Sequence, residues 1–233
     1  MSVLTGDEIK AEHAAGRIII NPFNPAQLNE RGVSYDVTLM PKLAVFRNLG
    51  VMGALGRALG LQDKATMCID GIDPANEQIQ WLYNQIRETL LAENARGDYD
   101  NFMAIDPRCP PPLFEYDLED CPVLVPGVLY LASTNEEAGS DFYEPIIHGK
   151  SSLARLGLSV HETAGLGEPG FKYQWTLEMT CTHPIRLHAN MRIGQVVFET
   201  VKGEIKIYEG NYRKQKGPTG SRMDKYFKDG LPV

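Results

Sequence analysis

Tyr173-Gln174-Trp175-Thr176-Leu177-Glu178-Met179-Thr180 alternates apolar with polar side chains along its whole length. Alternation with a period of two residues is the pattern of a β-strand with one buried face, so Glu178 and the other polar residues share the opposite face, where Glu178 either is solvated or lines a pocket. The stretch belongs to a longer region, Val123 to Tyr208, in which strand-like runs are separated by turn residues every ~8–12 residues. The sequence therefore predicts a mainly β protein.

Upstream of this region the sequence predicts one helix and two further strands. Thr5-Gly6-Asp7-Glu8 fits a capping box, in which the Thr hydroxyl and the Glu carboxylate satisfy free backbone N–H groups at a helix start. The helix should run from there to Gly16. Arg17-Ile18-Ile19-Ile20, ended by Asn21-Pro22, and the alternating run Ser34 to Leu39 are predicted as strands.

Two segments lack the strand-like pattern of the predicted β core. Within residues 48–112, the apolar-periodic stretches 49–61 and 76–94 are interpreted as helices that decorate the core. From residue 208 the chain is basic, Gly-rich and without periodicity, which predicts a flexible C-terminal arm (residues 208–233). We expect residues 1–233 to form a single domain that carries the insertion 48–112 and this arm.

Composition excludes several classes of protein. A formal net charge of −7 at pH 7 argues against nucleic-acid binding, because that binding depends on clustered Lys and Arg that neutralise phosphates. The four cysteines form no CxxC pair, which favours reduced thiols. The chain shows neither a basic-then-apolar leader nor the run of about 18 apolar residues that a membrane-spanning helix needs. We expect a soluble, cytoplasmic protein that binds neither nucleic acid nor membrane.

Several common motifs are excluded by their context. Gly165-Leu166-Gly167-Glu168-Pro169-Gly170 matches GxGxxG but precedes a strand-like run, whereas a dinucleotide site needs a helix there. Gly149-Lys150-Ser151 resembles the end of a Walker A loop, yet Glu144 stands where its first glycine should be. The H-x-E and P-C-x-x-C motifs of zinc nucleobase deaminases are absent, as is the G-x-S-x-G elbow of serine hydrolases. We therefore expect neither zinc nor any other catalytic metal.

The run Gly149-Lys150-Ser151-Ser152-Leu153-Ala154-Arg155-Leu156-Gly157 has the composition of a phosphate-binding turn. Ser151 or Ser152 is expected to cap a short helix ended by Gly157, whose free N–H groups, together with Lys150, would attract a phosphate. Arg155 adds a cation one turn further on. An ordinary capped surface turn remains the alternative.

Taken in order, these segments resemble the dCTP deaminase family, which shares its fold with the trimeric dUTPases. The segments that carry the resemblance are Leu4 to Lys10, Ile20-Asn21-Pro22-Phe23, Ser34-Tyr35-Asp36, Lys150 to Leu158, Val160 to Gly165, Glu168 to Phe171, Leu177-Glu178, Pro184 to Leu187, Met191 to Gln195 and Tyr212 to Arg222. The resemblance implies a distorted β-barrel or jelly-roll, dUTPase-like core with a few decorating helices. It also implies a homotrimer with active sites at the subunit interfaces.

The resemblance also implies the roles of particular residues. Glu178 matches the glutamate that activates water for attack at cytosine C4, and Ser151 and Arg155 match the residues that help to position that water. Mg²⁺ is expected on the substrate phosphates, as charge neutraliser and not as water activator. The residues expected to bind the nucleotide are Lys150, Ser152, Thr163, Ala164, Gly165, Glu168, Gln195, Tyr212, Gln215 and Arg222.

The leading functional hypothesis is hydrolytic deamination of dCTP to dUTP and ammonia. A dUTPase or a bifunctional deaminase and diphosphatase is an alternative, in which Glu168 stands at the Asp position that orients the hydrolytic water in relatives. Asn211 replaces a phosphate-binding Lys found in many relatives and His148 an acidic residue, which leaves dCMP or a modified dCTP open as substrate. A non-catalytic protein that senses nucleotides or binds a partner is the last alternative.

Overall fold

The computed structural model describes residues 2–46, 107–108, 110, 113–119, 123–124, 126–228 and 231–232. The predicted helices at 49–61 and 76–94, and nearly all of the insertion 48–112, lie outside these ranges. The predicted N-terminal helix is confirmed as α1 (Gly6–Ala14). Its first turn is capped as expected, because the Thr5 hydroxyl accepts a hydrogen bond from the Glu8 N–H at 3.3 Å.

Strands dominate the described residues. They are β1 (Ile18–Asn21), β2 (Tyr35–Thr38), β3 (Lys42–Phe46), β4 (Leu113–Asp117), β5 (Val123–Leu124), β6 (Tyr130–Ser140), β7 (Tyr143–Gly149), β8 (Leu158–Ser159), β9 (Lys172–Cys181), β10 (Ile185–Arg186), β11 (Arg192–Thr200), β12 (Phe227–Lys228) and β13 (Leu231–Pro232). The helical elements besides α1 are α2 (Ser151–Ala154) and 3₁₀ turns at Pro25–Gln27 and Met223–Tyr226. The predicted mainly β class with few helices is therefore confirmed.

Two antiparallel sheets make up most of the structure. The larger has the strand order β4-β3-β6-β9-β8, with β1 also paired to β6, and the smaller has the order β2-β11-β7. Short pairs β10-β5 and β12-β13 complete the described sheets. In the larger sheet β9 lies between β6 and the edge strand β8, and Glu178 of β9 is opposite Leu131 of β6.

One hydrophobic core joins the two sheets. Leu177 and Met179 of β9, Tyr130 of β6, and Val196 and Phe198 of β11 are all fully buried in it. Because side chains alternate along a strand, burial of residues 177 and 179 turns residues 176 and 178 to the opposite face, as the sequence predicted.

The described strands do not close into a barrel, and the prediction of a barrel is wrong in this respect. Among the described residues, backbone groups join the sheets at an isolated bridge between Leu39 and Thr134, and the Met40 N–H donates to the Ser133 carbonyl at 2.9 Å. There the Glu136 carboxylate accepts hydrogen bonds from the Thr38 N–H at 2.8 Å and the Thr38 hydroxyl at 2.7 Å, and Asn135 Nδ2 donates to the Leu39 carbonyl at 3.1 Å. Side chains thus satisfy the backbone groups that a continuous strand ladder would use.

Candidate active site

Glu178 lies in the middle of β9, on the face that turns away from the core. Its carboxylate is partly buried, and burial raises the pKa of this group above its ordinary value. The backbone N–H groups of Glu162 and of Glu178 itself lower this pKa in part, and the nearby Glu162 charge raises it further. Oε2 of Glu178 is buried and has no hydrogen-bond partner among the described residues. This carboxylate is therefore available to a ligand and carries a pKa shifted toward neutrality.

Glu178 lines a cleft of about 990 Å³. One wall is β9 with the turn before it, and the other is the chain from residue 201 to residue 221. The lining residues that are discussed below are Ala164, Glu168, Trp175, Thr176, Glu178, Tyr212, Gln215, Thr219 and Ser221. A cleft of this size can hold a nucleotide, since ligand pockets are commonly about 300–1,000 Å³.

Aromatic side chains form the apolar part of this cleft. Phe171 and Trp175 meet edge to face with their ring centroids 4.9 Å apart, and the Trp175 indole N–H donates to the Ala138 carbonyl at 3.0 Å. Gly167 sits against the indole so closely that a Cβ there would lie 2.4 Å from the ring. These contacts hold the Phe171 and Trp175 rings in place at the edge of the cleft.

The Thr163-Ala164-Gly165 turn is held against β7, with Ala164 at the cleft. The Ile147 N–H donates to the Gly165 carbonyl at 2.8 Å. A Cβ at Gly165 would lie 2.7 Å from the Ile147 carbonyl oxygen, so this close approach requires glycine. Glu168 is exposed and reaches the same cleft. Thr163 and Gly165 do not line it.

A second cluster gathers Lys150 and Gln195 around Asp36. Lys150 Nζ lies 2.5 Å and Arg192 Nη1 lies 3.1 Å from the two oxygens of the Asp36 carboxylate. Gln195 accepts a hydrogen bond from the Ser34 hydroxyl at 3.1 Å and donates to the Gly149 carbonyl at 3.3 Å. Two cations face one carboxylate here, and the surplus positive charge suits a phosphate. Asp36 and Arg192 had no role predicted from the sequence, although both lie in segments that resemble the dCTP deaminase family.

The helix that carries Ser151, Ser152 and Arg155 begins one residue earlier than predicted. Lys150 occupies the N-cap position with extended backbone angles and makes no side-chain capping bond. The two serines are therefore the first helical residues, and the prediction that one of them caps the helix was wrong. Ser151, Ser152 and Arg155 are exposed and do not line the cleft of Glu178.

The C-terminal arm covers one side of the cleft. Gln215 is buried and donates through Nε2 to the Gln174 carbonyl at 2.7 Å. Tyr212 accepts a hydrogen bond from the Arg222 N–H at 3.2 Å, and the Arg222 guanidinium lies 5.7 Å from the centre of the Tyr212 ring. Tyr212 and Gln215 line the cleft, whereas Arg222 supports the arm from outside it. The structure thus places Glu178, Glu168, Ala164, Tyr212 and Gln215 together, and Lys150 with Gln195 elsewhere.

In the ranges described above, no three His, Cys, Asp or Glu side chains are grouped so that they could hold a metal ion. Across the same ranges, no helix has both the length and the apolar character needed to cross a bilayer.

Comparison with known proteins now identifies the family. Residues 93–201 match the family model described as dCTP deaminase-like. A protein named "dCTP deaminase, dUMP-forming" from Clostridium botulinum (strain Alaska E43 / Type E3) is 30% identical over 226 residues, which are 97% of this chain and 98% of that protein. A protein of the same name from Leptospira biflexa is 40% identical over 161 residues, 67% of this chain and 88% of its own length. The chain belongs to the dCTP deaminase family, and the resemblance seen in its motifs is confirmed.

Proposed function

We propose that this protein deaminates dCTP, with Glu178 as the residue that moves protons. The observation that carries the proposal is the partly buried Glu178 carboxylate, which lines the cleft and whose Oε2 has no hydrogen-bond partner among the described residues. The relatives named as dCTP deaminases support the choice of substrate. A carboxylate whose pKa is raised toward the working pH both accepts and returns a proton efficiently.

The reaction needs one water molecule and one group that carries protons. The water oxygen bonds to C4 of cytosine, while Glu178 takes one water proton and passes it to N3. Glu178 then carries the proton of the new C4 hydroxyl to the amino nitrogen. The C4–N bond breaks, ammonia leaves and the uracil carbonyl remains. The apolar side chain of Leu131, which lines the cleft opposite Glu178, would limit the access of other water to these steps.

We further propose that the complete site forms between subunits of a homotrimer. Ser151, the first residue of α2, and Arg155, the residue that follows its last turn, match the residues that position the water. Both are exposed and do not line the cleft of Glu178 in one chain. A neighbouring subunit would bring them to Glu178, and the Lys150 and Arg192 cations with them. The substrate would enter as its magnesium complex, in which the ion neutralises phosphate charge.

A second activity, hydrolysis of the deaminated product to dUMP, is favoured by two observations. The relatives are named as dUMP-forming, and Glu168 lines the same cleft as Glu178. In this scheme Glu168 orients a water that attacks the triphosphate after deamination, and pyrophosphate leaves. The principal end product would then be dUMP, where the leading hypothesis from the sequence had dUTP.

Turnover of purified protein with dCTP and magnesium tests both activities. We expect ammonia from dCTP, and dUMP with pyrophosphate if the second step occurs. Glu178→Gln should lower kcat by about 10²–10⁴-fold, because the amide cannot accept a proton. Glu199→Gln makes the same change in β11, outside the cleft, and should leave kcat unchanged. Full deamination by Glu178→Gln would rule out the proposed role, and dUTP as sole product would rule out the second step.

A further inference from the structure

Gln174 lies on β9 four residues before Glu178, and its side chain and carbonyl contact the arm and the neighbouring strand. Its side-chain Oε1 accepts a hydrogen bond from the Gly217 N–H at 2.8 Å, and its backbone carbonyl accepts one from Gln215 at 2.7 Å. Its Nε2 donates to the Asn135 carbonyl of β6 at 3.2 Å. Gln174 is only 6% exposed, so these bonds are sheltered from competing water.

The arm follows β9 in steps of two residues. Gln215 and Gly217 bond to Gln174, and the Thr219 N–H donates to the Thr176 hydroxyl at 3.2 Å. One further step brings the arm to Ser221, which lines the cleft together with Glu178. The contacts at Gln174 therefore determine which arm residues come level with the candidate catalytic carboxylate.

Gly217 makes the tight fit at Gln174 possible. Its φ is +66°, in the left-handed region that residues with a side chain adopt at a cost. This turn presents the Gly217 N–H directly to the Gln174 side chain. Sequence reasoning could place Gln174 on the face of Glu178, but it could not pair that residue with a segment some 40 positions later.

We propose that Gln174 is a positioning residue that holds the C-terminal arm over the cleft before the nucleotide arrives. This inference rests on the proposed function, because the arm would cover the phosphates of dCTP. If the arm is held in place in advance, substrate binding does not have to order it. When the competent state is only fractionally populated, the apparent affinity falls by that fraction.

The test compares Gln174→Met with the unmodified protein in two assays. Methionine keeps the length of the side chain but removes the acceptor of the Gly217 N–H and the donor to the Asn135 carbonyl. Losing such bonds should lower the ratio of closed to open arm about tenfold. Trypsin cleavage after Arg213, Lys214 and Lys216, followed by mass spectrometry of the released C-terminal fragment, should then be faster by up to about tenfold, because cleavage tracks the open population.

Steady-state kinetics with dCTP provide the second assay. The fold rise in KM multiplied by the fold rise in cleavage rate should be about ten, because KM follows the closed fraction of the arm and cleavage follows the open fraction. The kcat should stay within about twofold of the unmodified protein, because saturating substrate closes the arm again. A lower kcat at unchanged KM would overturn the proposal by showing that Gln174 merely supports the strand around Glu178. A lower KM would overturn it in the opposite sense, because the docked arm would then obstruct the substrate.

A matched pair of variants on the same face of β9 distinguishes the loss of an arm contact from a general folding defect. Thr176→Val removes the acceptor of the Thr219 N–H, whereas Thr180→Val removes a hydroxyl that donates to Glu162 and does not bond to the arm. Faster arm cleavage in Thr176→Val but not in Thr180→Val is expected, and equal cleavage in both would overturn the proposal. If the unmodified protein does not turn over dCTP, the proposed function fails, while the cleavage rates still decide whether Gln174 holds the arm.

Discussion

Glu162 acts on Glu178 in two opposite ways. Its backbone N–H donates to the Glu178 carboxylate and lowers the pKa of that group, while its own negative charge raises the same pKa. A change of side chain removes the charge and keeps the N–H. The two contributions can therefore be separated by a single substitution.

Glu162→Gln should move the acidic limb of the kcat/KM profile to lower pH. Glu178 must be deprotonated to take a proton from water, so activity falls as pH drops through its raised pKa. Without the Glu162 charge, the pKa of Glu178 is lower, and the ionised form persists at lower pH. A profile of kcat/KM for dCTP between pH 4 and pH 9, roughly the range in which a shifted carboxylate titrates, measures the displacement. A limb that stays in place or moves to higher pH would contradict this assignment.

For single residues, the sequence predicted which face of a strand a side chain occupies better than it predicted which residues that side chain contacts. The alternation around Glu178 placed that residue on the open face of β9, because a strand repeats every two residues. The pairing of Lys150 with Asp36 joins residues 114 positions apart, and local periodicity contains no signal for such a contact. Asp36 was visible only as part of a family-like segment, without a role.

Between elements, the two sheets depend on Glu136 for their junction. Its carboxylate is 2% exposed and accepts hydrogen bonds from Gln27, from the Thr38 hydroxyl and from the Thr38 N–H. Glu136→Gln should lower the free energy of unfolding by about 1–3 kcal/mol, because one carboxylate oxygen becomes an amide that cannot accept these donors. Urea denaturation measures the change.

Glu137→Gln serves as the control for this junction. Glu137 is the neighbouring residue in β6 and is only partly buried, so we expect a change within about 0.5 kcal/mol. Equal stability of the two variants would mean that the carboxylate of Glu136 does not hold the sheets together.

Elements with a local signal were predicted, and those set by distant contacts were not. The capping pattern at Thr5 located α1, and alternation located β9. The junction between the two sheets, where Asn135 and Glu136 bind backbone groups of Thr38 and Leu39, is made by long-range contacts for which the sequence has no local signal. The start of α2 differed by one residue, as helix ends often do when no capping bond fixes them.

For the whole molecule, the separation of Glu178 from Arg155 within one chain leads to a test of shared sites. Glu178→Gln and Arg155→Ala should each abolish most deamination when assembled alone. Mixed assemblies of the proposed homotrimer, formed by co-expression in equal amounts, should recover activity, because about a quarter of the sites would combine an intact Glu178 from one subunit with an intact Arg155 from its neighbour. Ammonia release per subunit measures the recovery.

No recovery in the mixed assembly would mean that each chain completes its own site. The control is a mixture of the two variants that were purified separately and are assayed before their subunits exchange. This mixture should stay inactive. The co-expressed sample and the control contain the same two chains, so a difference in ammonia release between them reports only on whether the two variants share an assembly.

The location of Gln174 and Glu178 on a single strand face restricts how this protein can change in length during evolution. The two side chains are four positions apart, an even number, and a one-residue insertion or deletion between them would send one of them to the core side of β9. Substitutions at the intervening positions leave this parity intact. Descendants of this sequence should therefore vary in the composition of the stretch from 174 to 178 but conserve its length.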